Sequence, residues 1–166
     1  MLGIVLGAIG LITLIELFPR LSASAASPSD PNNVLNSRFT VSNEGYLELD
    51  RVKTGCYISR SSNGLAEINK GLIADNSSVD LHPIESVTVP CTGPNIYLAA
   101  SKADLMLVVY YHPWPFVFIR SHRFFRFVSR NVSPGVTVWE KQPSQPVEQE
   151  FNDFLNAHTN NPFAED

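Results

Sequence analysis

The chain has 166 residues, 44% hydrophobic and 17% charged, with a formal net charge of −4. That length accommodates one domain with its own core beside a short anchor, and the acidic balance excludes a global electrostatic pull toward nucleic acid. Twelve prolines against nine glycines suit a turn-rich β-protein better than a helix bundle.

The chain opens with an apolar run. Leu2 to Phe18 reads LGIVLGAIGLITLIELF, and Glu16 is its only charge. As a helix the run spans about 25 Å, the short end of what crosses a hydrocarbon core of about 30 Å. Gly3 and Gly7 form a small-xxx-small spacing suited to helix packing in lipid. No polar stripe marks it as a soluble amphipathic helix. A transmembrane anchor is therefore expected over residues 1–19, touching membrane lipid through residues 2–18. Two alternatives stay open. One is a signal peptide cleaved after Ala25 at Ala23-Ser24-Ala25, although neither Lys nor Arg precedes the apolar run. The other is a buried helix of a soluble core. Arg20 follows the run, which by the positive-inside rule favours a cytoplasmic domain. A disulfide would favour the opposite side, and a single-pass protein with an extracytoplasmic domain, periplasmic or extracellular, is expected.

From Pro19 the period changes to two. Leu21, Ala23 and Ala25 alternate with Ser22, Ser24 and Ala26, predicting a first short strand. Ser27 to Asn33 is a turn-rich connection. Arg38 to Ser42 predicts a strand with Phe39 and Val41 on one face, broken at Asn43-Glu44-Gly45. In Leu49 to Ser59, Val52, Thr54, Cys56 and Ile58 alternate with Lys53, Gly55, Tyr57 and Ser59. Cys56 is thereby expected on the apolar face. Ser61-Ser62-Asn63-Gly64 reads as a turn, and Leu65 to Ile73 is ambiguous. Val79 to Leu81 and Ser86 to Cys91 read as short strands around His82-Pro83. Asp104 to Tyr111 is the most hydrophobic strand and is expected at the centre of a sheet. Arg123 to Ser129 is its expected neighbour, and Val136 to Glu140 is a last strand. Seven or eight short strands separated by turns predict an all-β domain over 20–140, an antiparallel β-sandwich. In the tail, 141–166, Gln142-Pro143-Ser144-Gln145-Pro146 has linker composition. Val147, Phe151, Phe154, Leu155 and His158 then fall at helical spacing, predicting a short amphipathic helix that docks on the domain or a partner.

Three segments carry a family resemblance. Phe39-Thr40-Val41-Ser42-Asn43-Glu44-Gly45, Asp50-Arg51-Val52-Lys53 and Leu81-His82-Pro83-Ile84-Glu85-Ser86-Val87-Thr88-Val89 resemble bacterial immunoglobulin-like modules, in particular the cell-adhesion-related domain found in bacteria. In such modules a strand ends in an Asn-x-Gly turn, and a later Leu-Pro-Gly-Glu-Ser turn leads into another strand. Ile84 stands where the family usually has glycine. The resemblance covers about half of the domain. It implies an immunoglobulin-like fold with binding or spacing roles, and no catalytic residues.

Cys56 and Cys91 are the two cysteines. As a pair they close a loop of about 36 residues, worth roughly 4 kcal/mol in the chain-entropy model; as free thiols they would behave as small buried hydrophobes. Neither lies in a CxxC pair, so zinc is not expected. The unusual stretch is Tyr110 to Arg130, YYHPWPFVFIRSHRFFRFVSR. Trp114, Phe116, Phe118, Arg120 and Arg123 are the candidate surface, either for lipid, with rings at the interface and arginines at headgroups, or for a protein partner. The competing arrangement is a hairpin loop that folds its aromatics back onto the sandwich. His112 and His122 flank the loop, but four histidines without HxH or HxxxH spacing give no metal signature. GxSxG and glycine-rich phosphate loops are absent. The expected function is a membrane-anchored, non-enzymatic β-sandwich that binds a protein partner or belongs to an envelope assembly, with no cofactor and no nucleic acid. A small membrane-tethered enzyme built around His112 or His122 is the alternative.

Overall fold

The computed structural model describes residues 19–30, 32–64, 67–74, 77–92, 100–158 and 162–163. The apolar run read as an anchor lies outside the described residues. Within them, no helix is long and apolar enough to cross a membrane.

In chain order the strands are β1 (Leu21–Ala25), β2 (Phe39–Asn43), β3 (Leu49–Ser62), β4 (Glu67–Ala74), β5 (Val79–Leu81), β6 (Ser86–Val89), β7 (Lys102–Pro113), β8 (Ser121–Ser133) and β9 (Val136–Gln142). A helix, α1 (Gln145–Ala157), follows. The strands form two antiparallel sheets. The smaller has the order β1-β2-β6, and the larger β4-β3-β7-β8-β9 with β5 paired to β3.

Period-two alternation decides which side chains meet between the sheets. Phe39 and Val41 of β2 are buried together with Val52, Cys56 and Ile58 of β3. Leu105, Leu107 and Val109 of β7 and Phe125 and Phe127 of β8 complete this core. Phe39 links the layers, its ring 5.8 Å from Phe127 and 5.1 Å from Trp139. Cys56 and Cys91 are joined as a disulfide with their Cα atoms 5.2 Å apart. The bond ties the middle of β3 in the large sheet to the residue two beyond β6 in the small one.

The large sheet also buries its other face. Tyr57, Met106 and Val108 point away from the small sheet and pack with Val147 and Phe151 of α1 and with Phe163. This two-sided burial is why β7 carries an unbroken apolar run where a half-buried strand would alternate. It lies between β3 and β8, the central place expected for it. The described tail is part of the packed structure. The linker reading of 142–146 needs correction at its end, because α1 begins at Gln145. Pro146 lies in the first helical turn, where a missing N–H costs nothing, and Val147 and Glu148 donate backbone N–H bonds to the Ser144 carbonyl.

Two further elements differ from the sequence expectations. β3 continues through Ser62, so the turn begins at Asn63, with Gly64 at φ 84°. The ambiguous stretch before Ile73 is the edge strand β4, paired with β3 from Gly55↔Ala74 to Ser62↔Glu67. Its pairing is supplied by a neighbour, so local composition did not reveal it.

Tyr57 is fully buried beneath α1, between the rings of Phe151 (5.3 Å) and Phe154 (5.4 Å). Burial, and secondarily the negative charge of Glu150, pushes its phenol pKa up to about 12. The unfolded chain loses this proton near pH 10. Tyr57 therefore contributes stability that is complete below pH 10 and is lost as the pH rises through 12. The protein is expected to be about 1 kcal/mol less stable at pH 11 than at pH 9 through this group alone. Urea titrations at the two pH values should show that increment in the wild type and lose it in Tyr57→Phe.

Candidate functional site

One end of the sandwich collects the features that could meet a partner. β2 ends at Asn43, whose buried side chain donates to the carbonyls of Leu47 (2.7 Å) and Leu81 (3.0 Å) and accepts the Gly45 N–H (3.0 Å). Its backbone reaches the next turn as well. Ile84 N–H donates to the Asn43 carbonyl (2.8 Å), and Asn43 N–H donates to Glu85 (2.9 Å). The 43–47 and 82–85 turns are thus fastened together through one residue.

Pro19 and Arg20, where the chain arrives from the apolar run, lie along the same end. Glu44 N–H donates to the Arg20 carbonyl at 2.7 Å. A Cβ on Gly45 would stand 2.9 Å from the Arg20 nitrogen, so this close passage requires glycine.

The β7–β8 loop, Trp114 to Arg120, rises beside these turns. Trp114 N–H donates to the Glu48 carbonyl at 3.0 Å, and a Glu48 carboxylate oxygen lies 3.0 Å from His82 Nδ1. The Trp114-Pro115 peptide is cis, and Ile119 N–H donates to Phe116 at 2.8 Å to close a tight turn. Phe116 and Phe118 meet edge to face at 6.2 Å. The aromatics do not fold back onto the sandwich. Trp114 is 53% exposed, Phe116 49% and Phe118 79%, and Val117 and Ile119 are exposed between them. Tyr46 and Ile84, on the two neighbouring turns, are exposed at 73% and 92%. Together these side chains form an exposed apolar stretch larger than the singly scattered apolar residues of an ordinary surface. An open groove of about 760 Å³ runs along it, lined by Pro19, Leu47, Pro113, Pro115, Phe116 and Ile119 among others.

The two arginines of the candidate surface behave differently. Arg123 is exposed on β8 and lines the groove beside Tyr111. Burial pushes the Tyr111 phenol pKa up, and Arg123 acts against that shift. Arg120 is turned inward in part: its guanidinium lies 4.4 Å above the Tyr110 ring and donates to the Phe163 carbonyl. Phe163 itself is buried in a seat made by the absence of a side chain at Gly55, where a Cβ would approach its ring to 2.7 Å. Tyr110 closes the seat with its ring 4.8 Å away.

His122 packs its ring against Phe124 (4.9 Å) and Tyr110 (5.7 Å), and His112 is paired in register with Asp50. Among the described residues, no three His, Cys, Asp or Glu side chains group as metal ligands would. No protein-family model and no curated protein matches the sequence.

The aromatic loop was visible in composition. The contributions of Tyr46 and Ile84 were not, because each is a single apolar residue in a polar turn; Asn43 fastens the two turns to each other, and the Trp114 N–H bond to the Glu48 carbonyl joins them to the loop. The Gly55–Phe163 contact had no local signal, since 108 positions separate the two residues.

Proposed function

We propose that this chain is a membrane-anchored, non-enzymatic immunoglobulin-like module of a cell envelope, held by residues 2–18, with its domain extracytoplasmic and its Trp114–Ile119 end laid against the bilayer interface. The observation that carries this reading is positional. The exposed aromatic loop stands beside Pro19, the residue that leads back into the apolar run. A tether leaving from that end brings the same end to the membrane, where Trp and Tyr partition at headgroup level.

The strand order supports the immunoglobulin-like part. β1-β2-β6 facing β4-β3-β7-β8 corresponds to an A-B-E sheet facing C′-C-F-G, with β9 and α1 as additions. Ile84 supports it as well. Its φ of 70° is the left-handed conformation that glycine adopts freely, at the position where the bacterial modules usually carry glycine. The buried disulfide favours an oxidising compartment. An envelope-assembly or protein-binding role leaves the opposite end of the sandwich for the partner.

The test uses the full chain in lipid nanodiscs whose acyl chains are brominated near the headgroup. Trp114 emission is expected to be strongly quenched, and the quenchable fraction should vanish in Trp114→Leu while Trp139 stays unquenched. Emission unaffected by brominated lipid would remove the loop from the membrane and leave it as a surface for a protein.

A further inference from the structure

We propose that a second cleft, on the other flank of the Trp114–Ile119 loop, binds the phosphate headgroup of an anionic membrane lipid. The inference rests on the reading of the loop as membrane-facing. The cleft has a volume of about 470 Å³; Arg51, Lys53, Arg120 and Tyr110 line it, and Val117 and Phe118 stand at its rim. Three cationic side chains thus line one cleft in a protein whose net charge is −4. Convergent cations in a partly enclosed cleft select an anion, and arginine forks match phosphate oxygens in pairs.

The backbone at Arg51 is a second, independent observation. Arg51 has a φ of 49°, and the pairing of β3 with β7 shifts register between Asp50 and Lys53. Arg51 and Val52 together stand opposite the single residue Tyr111, which makes a β-bulge. The left-handed region is strained for a non-glycine residue, and such strain and such bulges concentrate beside functional sites. The Asp80 carboxylate holds the bulge by accepting the Arg51 amide at 3.0 Å. The Arg51 side chain is exposed to the cleft. Opposite it, Arg120 is held over Tyr110 and tied to the Phe163 carbonyl, which fixes the guanidinium in place while further N–H donors remain on it.

The rim decides the source of the phosphate. Val117 and Phe118 are the tip of the exposed loop, so an anion entering the cleft passes apolar side chains suited to hydrocarbon. The chain leaves toward the apolar run at Pro19, on the groove side of the same loop. A diester phosphate at headgroup depth, with its acyl chains over the rim, satisfies both the cations and the apolar tip.

The test places the full chain in nanodiscs of equal parts phosphatidylcholine and phosphatidylglycerol and counts the lipid it retains on release by native mass spectrometry. Phosphatidylglycerol is expected to be retained over phosphatidylcholine by about tenfold. The preference should disappear in R51Q/K53Q and fall in R51Q alone, with the circular dichroism unchanged. Equal retention of the two lipids, or an unaltered preference in R51Q/K53Q, overturns the proposal. Displacement of phosphatidylglycerol by millimolar inorganic phosphate also overturns it, by making the cleft a free-anion site. Trp114 quenching by brominated lipid separates the two readings: quenching without lipid preference removes the headgroup site alone, and absence of quenching removes the membrane-facing loop.

Discussion

Replacing both Cys56 and Cys91 with alanine is expected to lower stability by about 2–4 kcal/mol. The bond joins residues 35 apart in sequence and is a covalent cross-link between the two sheets. Chain entropy of the unfolded state accounts for most of the expected loss. Both cysteines are almost wholly inaccessible, at 0% and 1% exposure, so the alanine variant also loses packing in the inter-sheet core. Urea titration of the full chain in detergent, with and without reductant, should give a lower midpoint for the double variant. Reductant should leave the native wild type intact and act once the sheets have opened. A loss below about 1 kcal/mol would mean that the Phe39, Phe127 and Trp139 cluster holds the sheets together largely without the bond.

Phe151→Ala is expected to cost about 3–5 kcal/mol. The ring is fully buried and is the centre of the second core. It meets Tyr57 at 5.3 Å, Phe124 at 5.8 Å and Phe163 at 6.3 Å. Its loss weakens the cover that α1 and Phe163 place over Met106 and Val108. Hydrogen exchange should therefore accelerate first across 145–157 and at the outward-facing positions of β7, while amides of β2 and β6 keep their protection. Phe154→Ala, at a half-buried position, should cost less. Equal acceleration in both sheets would show that α1 and the sandwich unfold as one unit.

Several elements were legible locally for identifiable reasons. β1 and β2 stand where alternation and turn residues set them, because each packs one face against the core. β7 was legible as central because burial on two faces demands a continuous apolar run. The helix period of Val147, Phe151, Phe154 and Leu155 marked α1 and its inward face. β4 was not legible, since an edge strand that borrows its pairing from β3 needs no strong pattern of its own. The start of α1 was misjudged because proline reads as a breaker everywhere except the first helical turn.

The candidate surface divides in the same way. By itself the sequence determined that an aromatic, arginine-rich loop follows the central strand, that an apolar run precedes the domain, and that Cys56 faces the core, because each of these is written in consecutive or alternating residues. Only the tertiary structure decided that the loop is exposed, that Pro19, Tyr46 and Ile84 share its end of the sandwich, and that Arg120 is tied to Phe163 while Arg51 and Lys53 line a cleft with it. The reason is physical: local pattern reports which face of an element is apolar, whereas neighbourhood between distant elements is set by long-range packing, here by the hydrogen bonds of Asn43 and the seat at Gly55.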